Sequence, residues 1–130
     1  MAKPKIVEAE LSYKLTGLFF QIHNEHGRFC KEKQYADAFE ELLKKLKIRY
    51  LREVEVQKFN STSPAGNKVD FLIEDRIIVD FKAKPIITKE DYIQMQRYLG
   101  GSNLELGLIV NFRNHYLKPK RVLNPRYSEH

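Results

Sequence analysis

Apolar positions along this chain recur with two different periods, and the change of period marks out the elements. Leu11, Leu15, Leu18, Phe19 and Ile22 recur at helical spacing, which predicts an amphipathic helix over about 7–25. Ser12, Thr16 and Gly17 are weak helix formers but do not break it. Gly27 ends it, with His26 in the last turn. A second stripe of Tyr35, Ala38, Phe39, Leu42, Leu43 and Leu46 predicts a helix over about 31–47. The pattern then shortens. A strand is expected from Tyr50 to Phe59, followed by a polar loop over 60–67. Two strands follow at about 68–74 and 77–84, and Pro85 stops the second. Thr88 caps a third helix, with Asp91 at the capping-box position and Gly100-Gly101 at its end. An apolar strand runs from Leu104 to Phe112, and a short edge strand is placed near Lys120–Leu123. The order helix, helix, three strands, helix, strand gives an α/β domain: a mixed sheet of four or five strands flanked by helices.

Charge placement changes the picture at the central hairpin. Val69–Ile73 and Ile77–Lys82 are apolar strands that each carry an Asp where a core residue is otherwise expected. A three-residue turn, Glu74-Asp75-Arg76, sets Asp70 opposite Asp80. A two-residue turn would move Asp70 to the other face. The turn has no Gly, so turn chemistry does not choose between them. Lys82 shares the face of Asp80, because strand side chains repeat with period two. The bland alternative is a solvent-facing side of an amphipathic hairpin. Leu72 and Ile78 argue against it, since they put apolar residues on the same face as the acids. Two carboxylates facing each other across strands repel and need a proton or a metal ion between them. Two carboxylates holding a divalent cation, with a Lys beside them, form a phosphodiester-cleaving arrangement.

Composition sets the class of partner. The chain has 130 residues, enough for one domain, with 42% hydrophobic and 31% charged residues. The core of that domain is expected over about 7–123, with a basic tail over about 113–130. No apolar run approaches the length of a membrane span. No apolar signal-peptide segment follows the N-terminal Met1-Ala2-Lys3-Pro4-Lys5, so a cytoplasmic location is expected. A single cysteine, Cys30, excludes an intrachain disulfide and a Cys-based zinc site. The net charge of +6 and the pI of about 9.4 suit a polyanionic partner such as nucleic acid.

Other polar residues carry less on spacing alone. Glu32 projects along the stripe of the second helix, and a helix-dipole role fits it equally well. Gln94 and Tyr98 lie four apart on one face of the third helix, where a solvated Gln and a half-buried Tyr are the simpler expectation. The four histidines show no metal-ligand spacing, and His23 reads as a hydrogen-bonded packing residue. Lys118, Lys120, Arg121 and Arg126 make a basic tail, either a phosphate-tracking surface or plain solubility.

Taken together, these residues resemble the PD-(D/E)XK nuclease superfamily, and within it the small standalone GxxExxY proteins. The pieces that carry the resemblance are Leu11-Ser12-Tyr13 with Gly17 and Ile22-His23, then Glu32-Lys33-Gln34-Tyr35. They continue with Val69-Asp70-Phe71-Leu72-Ile73, Val79-Asp80-Phe81-Lys82-Ala83, Gln94 with Tyr98-Leu99, and Leu106–Phe112. The chain departs from the GxxExxY pattern twice. Phe29 stands where those proteins have glycine, and the strand acid is Asp80 where Glu is commoner.

The resemblance implies a restriction-endonuclease-like core and a metal-dependent nuclease acting on DNA rather than RNA, in repair or defence. It implies that Glu32, Asp70, Asp80 and the backbone carbonyl of Phe81 hold Mg²⁺ or Mn²⁺. Lys82 then orients or activates water, and Gln94 and Tyr98 position the site. Lys84, Lys118, Lys120 and Arg121 are the expected nucleic-acid contacts. A homodimer or a protein partner is compatible with so small a core. The competing expectation is a binding module or partner subunit that kept the fold and lost turnover.

Overall fold

The computed structural model describes residues 6–55 and 68–128. Helices α1 (Ala9–His26) and α2 (Glu32–Lys45) are followed by strands β1 (Tyr50–Glu55), β2 (Lys68–Ile73) and β3 (Ile77–Lys82). Helix α3 (Lys89–Ser102) then leads to β4 (Leu106–Asn111) and β5 (Lys120–Leu123). The strands form one five-stranded sheet in the order β1-β2-β3-β4-β5. Its β3–β4 pair is parallel and its other pairs are antiparallel. The α/β class and mixed sheet are therefore those expected from the apolar pattern. Residues 56–59 of the expected first strand, and the loop 60–67, lie outside the described residues. Among the described residues, no helix is long and apolar enough to cross a membrane.

Each face of the sheet is covered. On one face, α1 and α2 bury Leu15, Phe19, Ile22, Tyr35, Phe39 and Leu43 against Phe71, Ile73, Ile77, Val79, Phe81, Leu108, Val110 and Phe112. Phe81 lies at the centre of this layer, with ring centroids 4.9 Å from Phe112, 5.3 Å from Phe39 and 5.7 Å from Phe19. On the other face, α3 packs Met95, Tyr98 and Leu99 over Leu72, Ile78, Ile109 and Val122. Gly107 makes this approach close: a Cβ there would fall 2.3 Å from Met95 Sδ and 2.7 Å from its Cγ. Asp70 and Asp80 belong to the α3 face, so the acids lie under a helix and not in open solvent.

Two boundaries differ from expectation. Gly100 and Gly101 do not stop α3; the helix continues to Ser102 and ends on Asn103, at φ 52°. Asparagine tolerates that left-handed conformation and serves as the cap. Val69, which strict alternation would turn the same way as Phe71, packs with Val54 on the α3 side. Glu53, next to the Val54–Val69 pair, adopts φ 54°.

Candidate metal-dependent nuclease site

The hairpin register decides the site. Phe71 pairs with Val79, Leu72 with Ile78, and Ile73 with Ile77, leaving Glu74, Asp75 and Arg76 as the turn. Arg76 N–H closes it on Ile73 O at 2.9 Å. Glu74 and Asp75 both adopt positive φ without being glycine. Glu74 is held there by Arg49, whose N–H donates to Glu74 Oε1 at 2.9 Å while Glu74 N–H donates to Arg49 O at 2.9 Å. Continued one step, this register sets Asp70 opposite Asp80.

At that step the backbone ladder between β2 and β3 ends, and the two carboxyls take its place. Asp70 N–H donates to Asp80 Oδ1 at 3.2 Å, and Phe81 N–H donates to Asp70 Oδ2 at 2.6 Å. The two side chains also hydrogen-bond each other. Asp80 is only 6% exposed. Burial first, and the charge of Asp70 second, push its carboxyl up to about 7. Burial likewise raises Asp70, against the pull of Phe81 N–H. A buried pair of this kind holds one proton between two acids until a cation replaces it.

Cations and polar groups line the same face. Lys82 Nζ lies 3.5 Å from Asp80 Oδ2, 3.4 Å from Gln94 Oε1 and 3.9 Å from Asp91 Oδ1. Gln94 is therefore a partner of Lys82 and not a solvated residue. Tyr98 is buried beside the acids; burial first, then the charges of Asp80 and Asp70, push its phenol up to about 12. It stays a neutral O–H at any working pH, on the same helix face as Gln94.

Asp91 reads in the sequence only as a helix cap. It does cap α3, accepting from Thr88 N–H at 2.7 Å, and it also pairs with Lys84 Nζ at 2.5 Å. Its reach to Lys84 and Lys82 makes it part of the site. A signal for this is present in the chain: Lys82-Ala83-Lys84 lies at and just past the end of β3, and an acid stands in the first turn of the next helix.

Glu32 begins α2, on the other side of the strand ends. Partial burial first, and the charge of Asp70 second, push its carboxyl above the usual range, while Lys82 and Lys84 pull it back. It thus shares the electrostatic field of the pair. Among the described residues, however, no group of three or more His, Cys, Asp or Glu side chains is gathered as a metal-ligand set.

The basic residues divide by strand parity. Asp80 pairs with Ile109, and Ile109 with Lys120, so Lys120 lies in the row of Asp80 two strands away, roughly 10 Å off. Arg121 faces the opposite way and donates to Ser12 Oγ at 2.8 Å and to Val7 O at 2.5 Å on the α1 side. The structure does not bring Arg121 to the acids. Lys118 is exposed before β5. His23 has the expected packing role, with Nε2 2.9 Å from Asn114 O.

A family model for the PD-(D/E)XK nuclease superfamily matches residues 9–122. The chain belongs to the PD-(D/E)XK nuclease superfamily. Searches of curated proteins and of solved structures returned no match. The match spans β2 and β3, the strands that carry Asp70 and Asp80-Phe81-Lys82. The donor set fits a hard divalent cation: carboxylate oxygens, no competing thiolate or imidazole beside them, and a pair short of counter-charge.

Proposed function

We propose that this chain is a divalent-metal-dependent nuclease that hydrolyses phosphodiester bonds, with DNA the favoured substrate. The observation that carries the proposal is the buried Asp70–Asp80 pair with Lys82 Nζ 3.5 Å from Asp80. Kinship with the GxxExxY proteins belongs to the same proposal, and rests on Glu32, Tyr35, Asp70, Asp80, Lys82, Gln94 and Tyr98 standing where that pattern needs them.

Asp70 and Asp80 would hold Mg²⁺ or Mn²⁺, with Glu32 and the Phe81 carbonyl completing the set. When bound, such an ion polarises a phosphoryl oxygen and lowers the pKa of an attacking water. The chain's own groups do the rest. Asp80, which shares a proton with Asp70 in the metal-free chain, would serve such an ion as a carboxylate ligand. Lys82, steered by Gln94 and Asp91, presents its ammonium where negative charge grows on the phosphate. Tyr98, kept a neutral O–H beside the pair, would help to position Gln94. Lys84 and Lys120 extend positive charge to either side of the acids and would track the backbone of a bound strand.

A second reading, a nucleic-acid-binding module without turnover, draws on one observation: Glu32 is not gathered with the two aspartates into a three-acid set. The two readings part on metal dependence. Mg²⁺ and Mn²⁺ are titrated against labelled single- and double-stranded DNA and RNA, with Asp70→Ala and Lys82→Ala as controls. The nuclease reading expects cleavage that stops on chelation and in both variants. Salt-sensitive binding with no cleavage at any metal concentration would replace it with the binding module.

A further inference from the structure

Phe29 is a large apolar side chain left 75% exposed in the short connection between α1 and α2. Two guanidinium groups lie over its ring, Arg28 at 4.8 Å and Arg113 at 5.6 Å from the centroid. The group is built and not incidental. Arg28 Nε donates to Arg113 O at 2.7 Å, and Arg113 Nη2 donates to Ala83 O at 3.2 Å. Tyr35 fixes the connection from below: its O–H donates to Gly27 O at 2.6 Å and accepts from Cys30 N–H at 3.1 Å, while its ring stacks on Phe112 at 4.1 Å. Gly27, at φ 75°, provides the left-handed turn into this segment.

The location matters as much as the exposure. Ala83, which anchors Arg113, directly follows Lys82, and Phe112 N–H donates to Lys82 O at 3.0 Å. These links tie the Phe29 connection to the end of β3, where Lys82 lies, and Glu32 is three residues beyond Phe29. Exposed apolar surface costs free energy unless something covers it, and a flat ring beside cations has one natural cover in a phosphate-binding protein. Nucleobases stack on aromatic rings and on guanidinium planes, and phosphates pair with the same arginines.

We propose that Phe29, with Arg28 and Arg113, is a nucleobase-stacking platform that receives an unpaired base next to the cleavage site. This deepens the nuclease reading and rests on it for the substrate class: it assigns a single-stranded end, gap or loop. A base inside a duplex keeps its own stacking partners and offers the ring no face. The arginines do two jobs, holding the ring's orientation and drawing the backbone towards it.

The test uses the full chain in EDTA, so that binding is measured without cleavage. The probes are a single-stranded oligodeoxythymidylate and a blunt DNA duplex of equal length. Phe29→Ala is expected to weaken single-strand binding by roughly five- to a hundredfold. Duplex binding should change by less than about threefold, and the salt slope should not change, since stacking releases no counterions. The chain contains no Trp, so Phe29→Trp introduces a sole indole. That variant should retain single-strand affinity, and its emission should be quenched as the oligonucleotide binds. Equal losses for both probes, no loss for either, or an unquenched indole would overturn the platform. Failure of the nuclease reading looks different: quenching and single-strand preference would persist, with no metal-dependent cleavage by the wild-type chain. A platform failure instead leaves metal-dependent cleavage in place and Phe29→Ala inert.

Discussion

Replacing Asp80 by Asn is expected to destroy activity and to stabilise the metal-free fold, by an amount that grows with pH. An ordinary aspartate ionises near 3.8, whereas burial and Asp70 push Asp80 up to about 7. The folded state therefore holds the proton more tightly than the unfolded chain. The sign follows: this group's contribution to stability is intact below about pH 3.8 and is lost as pH rises through about 7. Each tenfold difference in proton affinity is about 1.4 kcal/mol, so the full penalty at pH 8 approaches about 4 kcal/mol. By pH 5 only about one power of ten has been lost. The part that appears between pH 5 and pH 8 is then about 3 kcal/mol at most, and less once the coupling to Asp70 is allowed for. The asparagine side chain would keep an oxygen for Asp70 N–H and would carry no charge to bury. Urea denaturation of both proteins in EDTA at pH 5 and pH 8, followed by circular dichroism, measures the double difference. For a domain of this size, 1 kcal/mol corresponds to about 4 °C in Tm. Adding Mg²⁺ at pH 8 should raise the wild type and leave the variant unmoved. A variant no more stable than wild type at pH 8, or one whose advantage is the same at both pH values, would refute the account of the acid pair.

Three other changes probe neighbouring parts. Glu32→Gln should weaken Mn²⁺ binding by roughly 10- to 100-fold, with little change in urea midpoint, as read by isothermal titration. Asp91→Ala removes the α3 cap and the partner of Lys84, and should cost about 1–3 kcal/mol in equilibrium unfolding together with lower kcat. Gly107→Ala places a methyl against Met95 Sδ and should cost about 1–3 kcal/mol by the same assay, with metal affinity unchanged.

Much of this site can be read from the chain because it depends on local periodicity. Strand alternation places Asp80 and Lys82 together, while the three-residue turn that sets Asp70 opposite Asp80 is settled by the folded register, because a turn without Gly leaves two registers open. Helical spacing gives Gln94 and Tyr98 a common face. What spacing does not show is long-range closure. Arg28, Phe29 and Arg113 meet across 85 residues because the Phe112–Tyr35 stack brings the end of β4 to the α1–α2 connection. Arg121 reads with Lys120 as a pair of basic neighbours, but period-two alternation sends adjacent strand residues to opposite faces, and only Lys120 shares that of Asp80. Asp91 is hidden by its own capping role, since one carboxyl does both tasks.

The three-residue turn at Glu74–Arg76 also bears on how the chain avoids misfolding. A hairpin that closed one residue out of step would turn Asp70 or Asp80 into the aromatic layer of Phe71, Phe81 and Phe39. There the misplaced carboxyl would find neither the backbone N–H groups that now receive the pair nor the ammonium of Lys82, and burial of such a group costs several kcal/mol. The acids that suit the site to a cation thus also penalise the slipped hairpin during folding. An uncharged replacement at both positions would relax that penalty, and the double variant should refold with a larger misfolded fraction than either single one.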